Sequence, residues 1–353
     1  MIPSIADQRL RHHSITGPAR RSVEAVVSWL GGMQAQEYAA AKWGLGLRMA
    51  DAATDAKIED AFNAGRILRT HVMRPTWHFV SPLDIRWMLD LTGPRVRRLM
   101  QVYNRQLELD PQTLARAVAT IERALAGGAH LTRLELSEYL ARAGIVAKGQ
   151  RLAHIMLDAE LEGVICSGRL RNGKFTYALL AERAPASRKL TRDESLAELA
   201  QRYFSSHGPA TIRDFVWWSG LVTADATRAL EMISARKKTV ENVTYWWMGD
   251  VDAHKARRHS VHLLPVYDEY LVAYRDRHAV PHRSTPTWTS SFTHSFVIGG
   301  QIAGTWRPVR NADGVRVDVN PARKLTRIER RALEEAAERY SRFVKAPVTV
   351  VVR

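Results

Sequence analysis

One plan recurs three times along the first 250 residues, namely short helices followed by a pair of strands, and it constrains the fold more than any single motif. In its first instance, residues 23–30 carry valine and leucine at positions i, i+3, i+4 and i+7, which predicts an amphipathic helix. Residues 39–65 predict two more short helices, and residues 67–80 predict two strands around an Arg74-Pro75 turn. Three short helices followed by a hairpin form a winged helix.

The second instance, between residues 132 and 180, carries stronger local signals. Thr132 and Glu135 form a capping box that predicts the start of a helix, and a longer helix is predicted over residues 150–162. Asn172-Gly173 is a dipeptide favoured in two-residue hairpin turns. The segment therefore predicts a second unit of helices and a hairpin.

Helix-starting residues also mark the segments between and after these hairpins. Pro94 and Pro111 each predict the first turn of a helix, and the helix after Pro94 is rich in arginine. Thr191 and Glu194 form a further capping box, which opens the third instance of the plan. Its hairpin is predicted over residues 239–248.

Beyond residue 250 the pattern changes to strands, with a two-residue turn at Gly299-Gly300 and a long charged helix over residues 326–344. The predicted fold class is therefore α+β, with three tandem winged-helix units and a mixed α/β C-terminal region. The predicted boundaries are 1–92 for the first winged-helix unit, 93–185 for the second with its leading helices, 186–250 for the third, and 251–353 for the C-terminal β-rich region with its long helix.

The charge balance points to a polyanionic partner. The chain has 52 Lys and Arg against 36 Asp and Glu, a net charge of +16 and a pI near 10.3. A surface of this sign attracts nucleic acid. The alternative is a proteome with a general bias toward arginine, which raises the pI without any nucleic-acid ligand.

The cysteine count and the apolar segments bear on the compartment. Cys166 is the only cysteine, so the chain cannot form an internal disulfide or a thiolate metal cluster. The N-terminus lacks a signal-peptide core, and no stretch approaches the ~18 consecutive apolar residues of a membrane span. We expect a soluble cytoplasmic protein.

Two side-chain amides, Gln34 and Gln36, lie one residue apart after the glycine pair that ends the first predicted helix. Amides can position a water molecule without carrying charge. Two neighbouring glutamines are also common as solvated or capping residues. The pair gains interest from the basic hairpin that follows it.

That hairpin, residues 69–80, combines arginine, histidine and tryptophan. Arginine would supply charge to a DNA groove, and aromatic groups could wedge or stack. The alternative is that Trp77, Phe79 and Val72 pack beneath the hairpin. We favour packing for Trp77 and Phe79, and contact with DNA for Arg74 and His71.

Other polar clusters allow further interpretations. His254, His259 and His262 lie close in sequence, but they lack nearby acidic residues at a metal-ligand spacing, so we expect no metal site. Asp268 and Glu269 could act as paired carboxylates, or could anchor Arg275 or Arg277. Basic residues that could contact phosphates occur in four clusters: Arg95/Arg97/Arg98, Arg236/Lys237/Lys238, Lys255/Arg257/Arg258, and Arg275/Arg277 with His278, His282 and Arg283.

Several stretches spread over nearly the whole chain resemble the winged-helix DNA glycosylases of the AlkZ and YcaQ type. The resemblance implies three tandem winged-helix units in a C-shape, with a basic concave face for duplex DNA. The matching stretches are Met33 to Gln36, Leu68 to Val80, Gly208 to Phe215, Asp268 to Leu271 leading to Tyr274 to Arg277, and Ala303 to Trp306.

The resemblance also implies site residues. A Gln-aliphatic-Gln catalytic motif would fall on Gln34 and Gln36, with Ala35 as a minimal aliphatic residue between them. This hypothesis requires both glutamines to face the same surface as Arg74 and His71. The residues expected to contact DNA are Arg69, His71, Arg74, Trp77, His78, Arg95, Arg97, Arg98, Arg275 and Arg277.

The implied activity is hydrolysis of the glycosidic bond of alkylated purines, such as N7-alkylguanine, N3-alkyladenine or an interstrand crosslink, in double-stranded DNA. Only Lys42 lies near the motif, so we expect a monofunctional glycosylase that forms no Schiff base. No cofactor is expected, and the chain is expected to be a monomer. Two alternatives remain: a non-catalytic winged-helix DNA-binding protein such as a regulator, and a small-molecule or nucleoside hydrolase that uses Asp268 and Glu269.

Overall fold

The computed structural model describes residues 4–50, 53–249, 258–276, 279–280 and 293–353. Within these ranges the protein is a mixed α/β structure with 14 helices and four sheets. Three apolar clusters form its core.

The first part of the chain surrounds a three-stranded sheet. Ser22 caps the second helix through the Ala25 amide, and the predicted apolar stripe of this helix is fully buried. Gly31 ends it with a φ of 77°. The elements are α1 Ile5–His12, α2 Val23–Leu30, β1 Met33–Gln34, α3 Tyr38–Gly46, α4 Asp55–Asn63, β2 Leu68–Val72 and β3 Arg74–Val80.

Gln34 therefore lies in a strand, β1, rather than at the end of a helix. This strand pairs antiparallel with β3, so the strand order of the sheet is β1-β3-β2. This pairing is long-range, because Gln34 and its partner His78 are 44 residues apart in sequence. Local pattern does not report such a long-range pairing.

The hairpin turn lies at Met73, not at Arg74-Pro75 as predicted. Met73 has a φ of 64°, and its amide donates to Thr92 Oγ1 at 3.0 Å. The turn is covered by the end of a later helix, since a Cβ at Gly220 would lie 2.1 Å from the Met73 carbonyl oxygen. Arg74 is consequently the first residue of β3 rather than the tip of a free loop.

The next part is helical, with a small second sheet of strand order β4-β6-β5. The predicted capping box at Thr132 and the turn at Asn172-Gly173 are both confirmed. The elements are α5 Ile85–Gln106, α6 Pro111–Leu125, β4 Leu131–Thr132, α7 Arg133–Arg142, α8 Gly149–Leu161, β5 Ile165–Ser167, β6 Thr176–Leu179 and α9 Leu180–Arg183.

Pro94 does not start a helix as predicted but lies inside the 22-residue helix α5. A proline there removes one backbone hydrogen bond and costs roughly 3 kcal/mol in an isolated helix. Packing offsets this cost, because Leu91 and Val96 on either side are buried in the same core. Next to the proline, a Cβ at Gly93 would lie 3.0 Å from the Leu161 carbonyl oxygen, so α5 and α8 pack closely.

The third instance of the plan begins with the capping box at Thr191, which the structure confirms. Thr211 forms a similar box with Asp214. Its two strands form a separate antiparallel hairpin. The elements are α10 Arg192–Ser206, α11 Ile212–Ser219, α12 Thr223–Glu231, β7 Arg236–Val240 and β8 Val243–Trp247.

The last part forms a five-stranded sheet of order β13-β12-β11-β10-β9, in which β13 runs parallel to β12. It shares one apolar core with the N-terminal helices, since Leu263 and Phe296 belong to the same cluster as Val26 and Leu30. Among the described residues, no helix has both the length and the apolar character to cross a bilayer. The elements are β9 Val261–Leu264, α13 Glu269–Val272, β10 Ser295–Ile298, β11 Gln301–Asn311, β12 Gly314–Pro321, α14 Arg327–Val344 and β13 Val348–Val352.

A buried ion pair joins the segment after α3 to the start of α13. Both Arg48 and Asp268 are fully buried, and the guanidinium donates to the two carboxylate oxygens at 2.9 and 2.7 Å. Asp268 also caps α13 by accepting from the Tyr270 amide at 2.9 Å. Asp268 therefore binds Arg48 rather than Arg275, one of the two partners considered, while Arg277 lies outside the described residues. The pair sets the position of α13 relative to α3.

Replacing Asp268 with alanine should destabilise the protein strongly. The change leaves the Arg48 charge buried without its partner, a defect that costs about 3–5 kcal/mol. Urea unfolding of wild type and Asp268→Ala measures it. Glu335→Ala is the control, because its contact with Arg331 joins side chains that are 64% and 83% exposed and should contribute less than about 1 kcal/mol. Equal losses in the two variants would contradict this account.

Candidate active site

Strand pairing divides the predicted residues of the first sheet between its two faces. Gln34 lies opposite His78, and His78 lies opposite Thr70, so these three side chains share one face. Arg69, which lies opposite Phe79, belongs to the other face, as do His71 and Trp77, which lie opposite each other. His71 follows Thr70 directly in β2, so its side chain points to the opposite face. The expectation that His71 shares a surface with Gln34 is therefore wrong.

Arg74 contacts the first of these faces. Its Nη2 lies 3.2 Å from Gln34 Oε1 and 3.3 Å from His78 Nε2. The other ring nitrogen of His78, Nδ1, lies 2.8 Å from the Thr76 carbonyl oxygen and must donate to it. Burial, together with the charge of Arg74, lowers the pKa of His78 to about 3. His78 is thus a neutral acceptor beside Arg74.

Glu269 lies directly beneath Gln34 and is fully buried. Its Oε1 accepts from the Gln34 backbone N–H at 2.7 Å, and its Oε2 accepts from Trp218 Nε1 at 3.0 Å. His207 Nε2 lies 3.5 Å from the same Oε2. Burial alone raises the pKa of Glu269, but His207, the Arg74 charge and the Gln34 N–H together lower the pKa to about 2. The carboxylate therefore stays ionised.

The role of Glu269 in this site was not predicted, since the sequence suggested a paired carboxylate or an anchor for Arg275 or Arg277. Its real partners come from β1, α10 and α11. The sequence did hint that Glu269 is buried, because Asp268 and Glu269 lie between the apolar stretches 263–266 and 270–274. An acidic residue in such a run is buried only with partners.

The opposite face of the sheet carries a stacked group. The Arg69 guanidinium lies 4.3 Å from the Trp77 ring and 4.8 Å from the Phe175 ring, and the His71 ring lies 4.4 Å from Trp77. His71 Nδ1 contacts Glu160, to which Trp77 Nε1 also donates. The packing predicted for Trp77 is thus present.

Arg69 also fixes the chain between the two glutamines. Its Nε donates to the Ala35 carbonyl oxygen at 2.9 Å, and its Nη2 lies 3.5 Å from the carbonyl oxygen of Gln36. On the other side of the same segment, the Ala35 amide donates to the Trp77 carbonyl oxygen at 2.7 Å. The backbone of residues 34–36 is therefore held from both β2 and β3.

Access to the two amides differs. Gln34 is 8% exposed, whereas Gln36 is half-buried at a bend just beyond β1. Arg74 and Trp77 are also half-buried. A ligand that approaches this edge can thus reach Gln36 more readily than Gln34.

The remaining predicted arginines have different environments. Arg95 and Arg98 are exposed on α5. Arg97 between them is bound to Asp158 at 2.8 Å and to Glu162 at 2.7 Å. Arg275 is exposed, and its backbone N–H donates to Asp214. Arg277 lies outside the described residues, as do Lys255, Arg257, His278, His282 and Arg283 of the basic clusters.

The histidines considered for a metal site do not form one in the described part of the chain. His259 is exposed and His262 is half-buried on β9, while His254 lies outside the described residues. Within those residues, no three His, Cys, Asp or Glu side chains are placed to hold a metal ion.

The stability of this site should depend on pH through His78. A histidine in the unfolded chain binds a proton near pH 6.5, whereas His78 stays neutral in the folded protein down to about pH 3. Its contribution is therefore complete above pH 6.5 and is lost as the pH falls toward 3. The loss approaches about 1.4 kcal/mol per pH unit.

The free energy of unfolding in urea, measured from pH 7 to pH 5, tests this dependence. It should fall less steeply for His78→Gln than for wild type, because the variant lacks the titrating group. Parallel slopes would show that His78 takes up a proton in the folded protein.

Three comparisons relate the chain to known proteins. The family described as "DNA glycosylase AlkZ-like" matches residues 27–343. The "Interstrand DNA cross-link repair glycosylase" of Streptomyces sahachiroi is 24% identical over 375 residues, covering 97% of each chain. The solved structure of the Streptomyces sahachiroi DNA glycosylase AlkZ has a TM-score of 0.82 and 22% identity, covering 99% of this chain and 100% of that one. The family match over most of its length shows that the chain belongs to the AlkZ-like DNA glycosylases, enzymes that hydrolyse N-glycosidic bonds.

Proposed function

We propose that this glycosylase removes alkylated or crosslinked purines from double-stranded DNA with a water molecule held by Gln34 and Gln36. Of the two residues required to share the surface of Gln34, only Arg74 does, since His71 lies on the opposite face of the sheet and contacts Glu160. The observation that carries the proposal is instead the fixed position of Gln34, whose backbone is bound by Glu269 and whose amide is bound by Arg74. The relative from Streptomyces sahachiroi, named for repair of interstrand DNA cross-links, supports the substrate class.

The chemistry suits a site with two amides. An N7-alkylguanine or N3-alkyladenine is a cationic leaving group, so its glycosidic bond tends to break through an oxocarbenium-like state. Such a reaction needs a placed water and fixed dipoles more than a strong acid. Gln34 and Gln36 provide two hydrogen-bonding amides with one residue between them. The backbone between them is bound by β2 and β3.

The environment of Lys42 supports hydrolysis without a covalent intermediate. Lys42 is 4% exposed, and its Nζ lies 2.8 Å from Asp55 and 3.0 Å from Glu59. A lysine nitrogen that is buried and held by two carboxylates is not free to attack a sugar carbon. The nearest lysine in sequence is thus a poor candidate for a Schiff base.

The DNA would be held by phosphate contacts from several parts of the chain. We propose three winged-helix units that form a C-shape with a basic concave face. The exposed residues Arg95, Arg98 and Arg275 and the basic strand Arg236–Val240 are suited to contact phosphates. Arg69, His71 and Arg97 already have partners in the protein, so we propose that they shape the surface rather than bind phosphate.

The two alternatives fit less well. Asp268 and Glu269 are fully buried and bound to Arg48, Gln34 and Trp218, so a hydrolase that uses this pair on a nucleoside lacks an accessible carboxylate. A regulator without catalysis would have no use for the fixed amide of Gln34. Membership in a family of enzymes also favours catalysis.

The double variant Gln34→Ala/Gln36→Ala should lose glycosylase activity while it keeps DNA binding. Removal of groups that place the water should lower the single-turnover rate by at least about 10²-fold. The assay uses duplex DNA that carries N7-alkylguanine or a nitrogen-mustard crosslink, followed by alkali to reveal abasic sites. Arg331→Ala, an exposed change on α14, is the control and should retain the wild-type rate. Equal rates for the double variant and wild type would refute the proposed role of the glutamines.

The salt dependence of DNA binding tests the phosphate contacts. Each of Arg95→Ala and Arg98→Ala should lower the slope of log K against log salt concentration by about 1, because each removes one phosphate contact. Fluorescence anisotropy with duplex DNA at several salt concentrations measures the slope. Slopes equal to that of Arg331→Ala would place α5 outside the DNA interface.

A further inference from the structure

Arg74, which the sequence suggested as a DNA contact, is placed to act on Gln34 instead. We propose that Arg74 is a positioning residue that fixes the Gln34 amide with its NH2 group toward the substrate, so that Gln34 donates to the attacking water and Gln36 alone accepts from it. The inference rests on the proposed function and assigns a different role to each glutamine.

The chemistry of arginine fixes the orientation of the amide. A guanidinium has only donors, so the Gln34 atom that lies 3.2 Å from Arg74 Nη2 must be the carbonyl oxygen. Rotating the amide by 180° would place two donors against each other beside a nearly buried side chain. The Gln34 NH2 group therefore points away from Arg74.

His78 gives Arg74 a second acceptor and so helps to hold it beside Gln34. The Thr76 carbonyl oxygen can only accept, so His78 Nδ1 carries the proton and Nε2 presents a lone pair to Arg74 Nη2 at 3.3 Å. Arg74 thus lies between two acceptors, His78 Nε2 and Gln34 Oε1. Both acceptors lie within hydrogen-bond distance of Arg74 Nη2.

Glu269 contributes a negative charge that attracts Arg74. It is fully buried, and its charge and that of Arg74 act on each other. The same carboxylate binds the Gln34 backbone N–H at 2.7 Å. One buried anion therefore supports both the backbone of Gln34 and the cation that orients its side chain.

The orientation determines how a water can be held. A Gln34 NH2 group donates to one lone pair of the water oxygen, and the other lone pair attacks the sugar C1′. The new O–C1′ bond forms as the glycosidic bond breaks, and its electron pair leaves with the base and neutralises the cationic purine. The side-chain carbonyl of the half-buried Gln36 accepts a hydrogen bond from the water, and one water proton is released to solvent once the O–C1′ bond has formed, which leaves a hydroxyl on the sugar.

Glutamate substitutions separate the two roles. Gln34→Glu keeps an oxygen for Arg74 but removes the outward donor, so the single-turnover rate should fall by about 10²-fold. Gln36→Glu keeps an acceptor and should retain the rate within about tenfold of wild type. The measurement is base release from duplex DNA that carries N7-alkylguanine, with enzyme in excess.

Arg74 variants test the positioning role. Arg74→Ala should lower the single-turnover rate by at least about tenfold, and Arg74→Lys, which still donates, should restore part of it. The salt slope of DNA binding should remain that of wild type, since a lost phosphate contact would lower it by about 0.9. Thermal unfolding of each variant shows whether it is folded at the assay temperature. If Arg74→Ala unfolds there, the two glutamate variants still decide the question.

The outcomes distinguish this inference from the proposed function. If Gln36→Glu loses activity and Gln34→Glu keeps it, or if Arg74→Ala lowers the salt slope and leaves the rate unchanged, the positioning role is wrong while glutamine catalysis stands. If all these variants react at the wild-type rate, the proposed function fails as well.

Discussion

The candidate site depends on the hydrogen bonds that the buried carboxylate of Glu269 accepts. An ionised carboxylate without partners inside a protein costs several kcal/mol. Glu269 is compensated by the Gln34 backbone N–H, by Trp218 of α11, by His207 at the end of α10 and by the charge of Arg74. These groups come from four distant parts of the chain. The folded arrangement therefore assembles the strand with the glutamine motif only when the later helices are in place.

The two faces of the sheet β1-β3-β2 carry different groups of side chains, because side chains alternate along a strand. One face holds Gln34, His78 and Arg74 as a polar group with defined donors and acceptors. The other holds Arg69 and His71 stacked against Trp77. The stacked face supports the backbone beneath the glutamines. Adjacent residues of β2, such as Thr70 and His71, therefore contact different groups.

Local features of the fold could be predicted from the sequence, since the capping boxes at Thr132 and Thr191 and the Asn172-Gly173 turn depend on nearby residues. The short strand β1 could not be predicted, because it exists only through pairing with β3. The motif suggested Gln34 and Gln36, but the setting of Glu269 comes from tertiary contacts. Pro94 was predicted to start a helix because proline favours the first turn. In the structure, packing of α5 in the core keeps the helix continuous through Pro94.

The most direct test of the water-holding role is a crystal structure of the protein bound to duplex DNA that carries a cationic pyrrolidine in place of the sugar at the lesion. The account predicts a water within about 2.6–3.2 Å of both the Gln34 NH2 group and the Gln36 carbonyl oxygen, on the face of the ring opposite the departing base. Direct contact of both amides with phosphate or base, with no water between them and the ring, would contradict it.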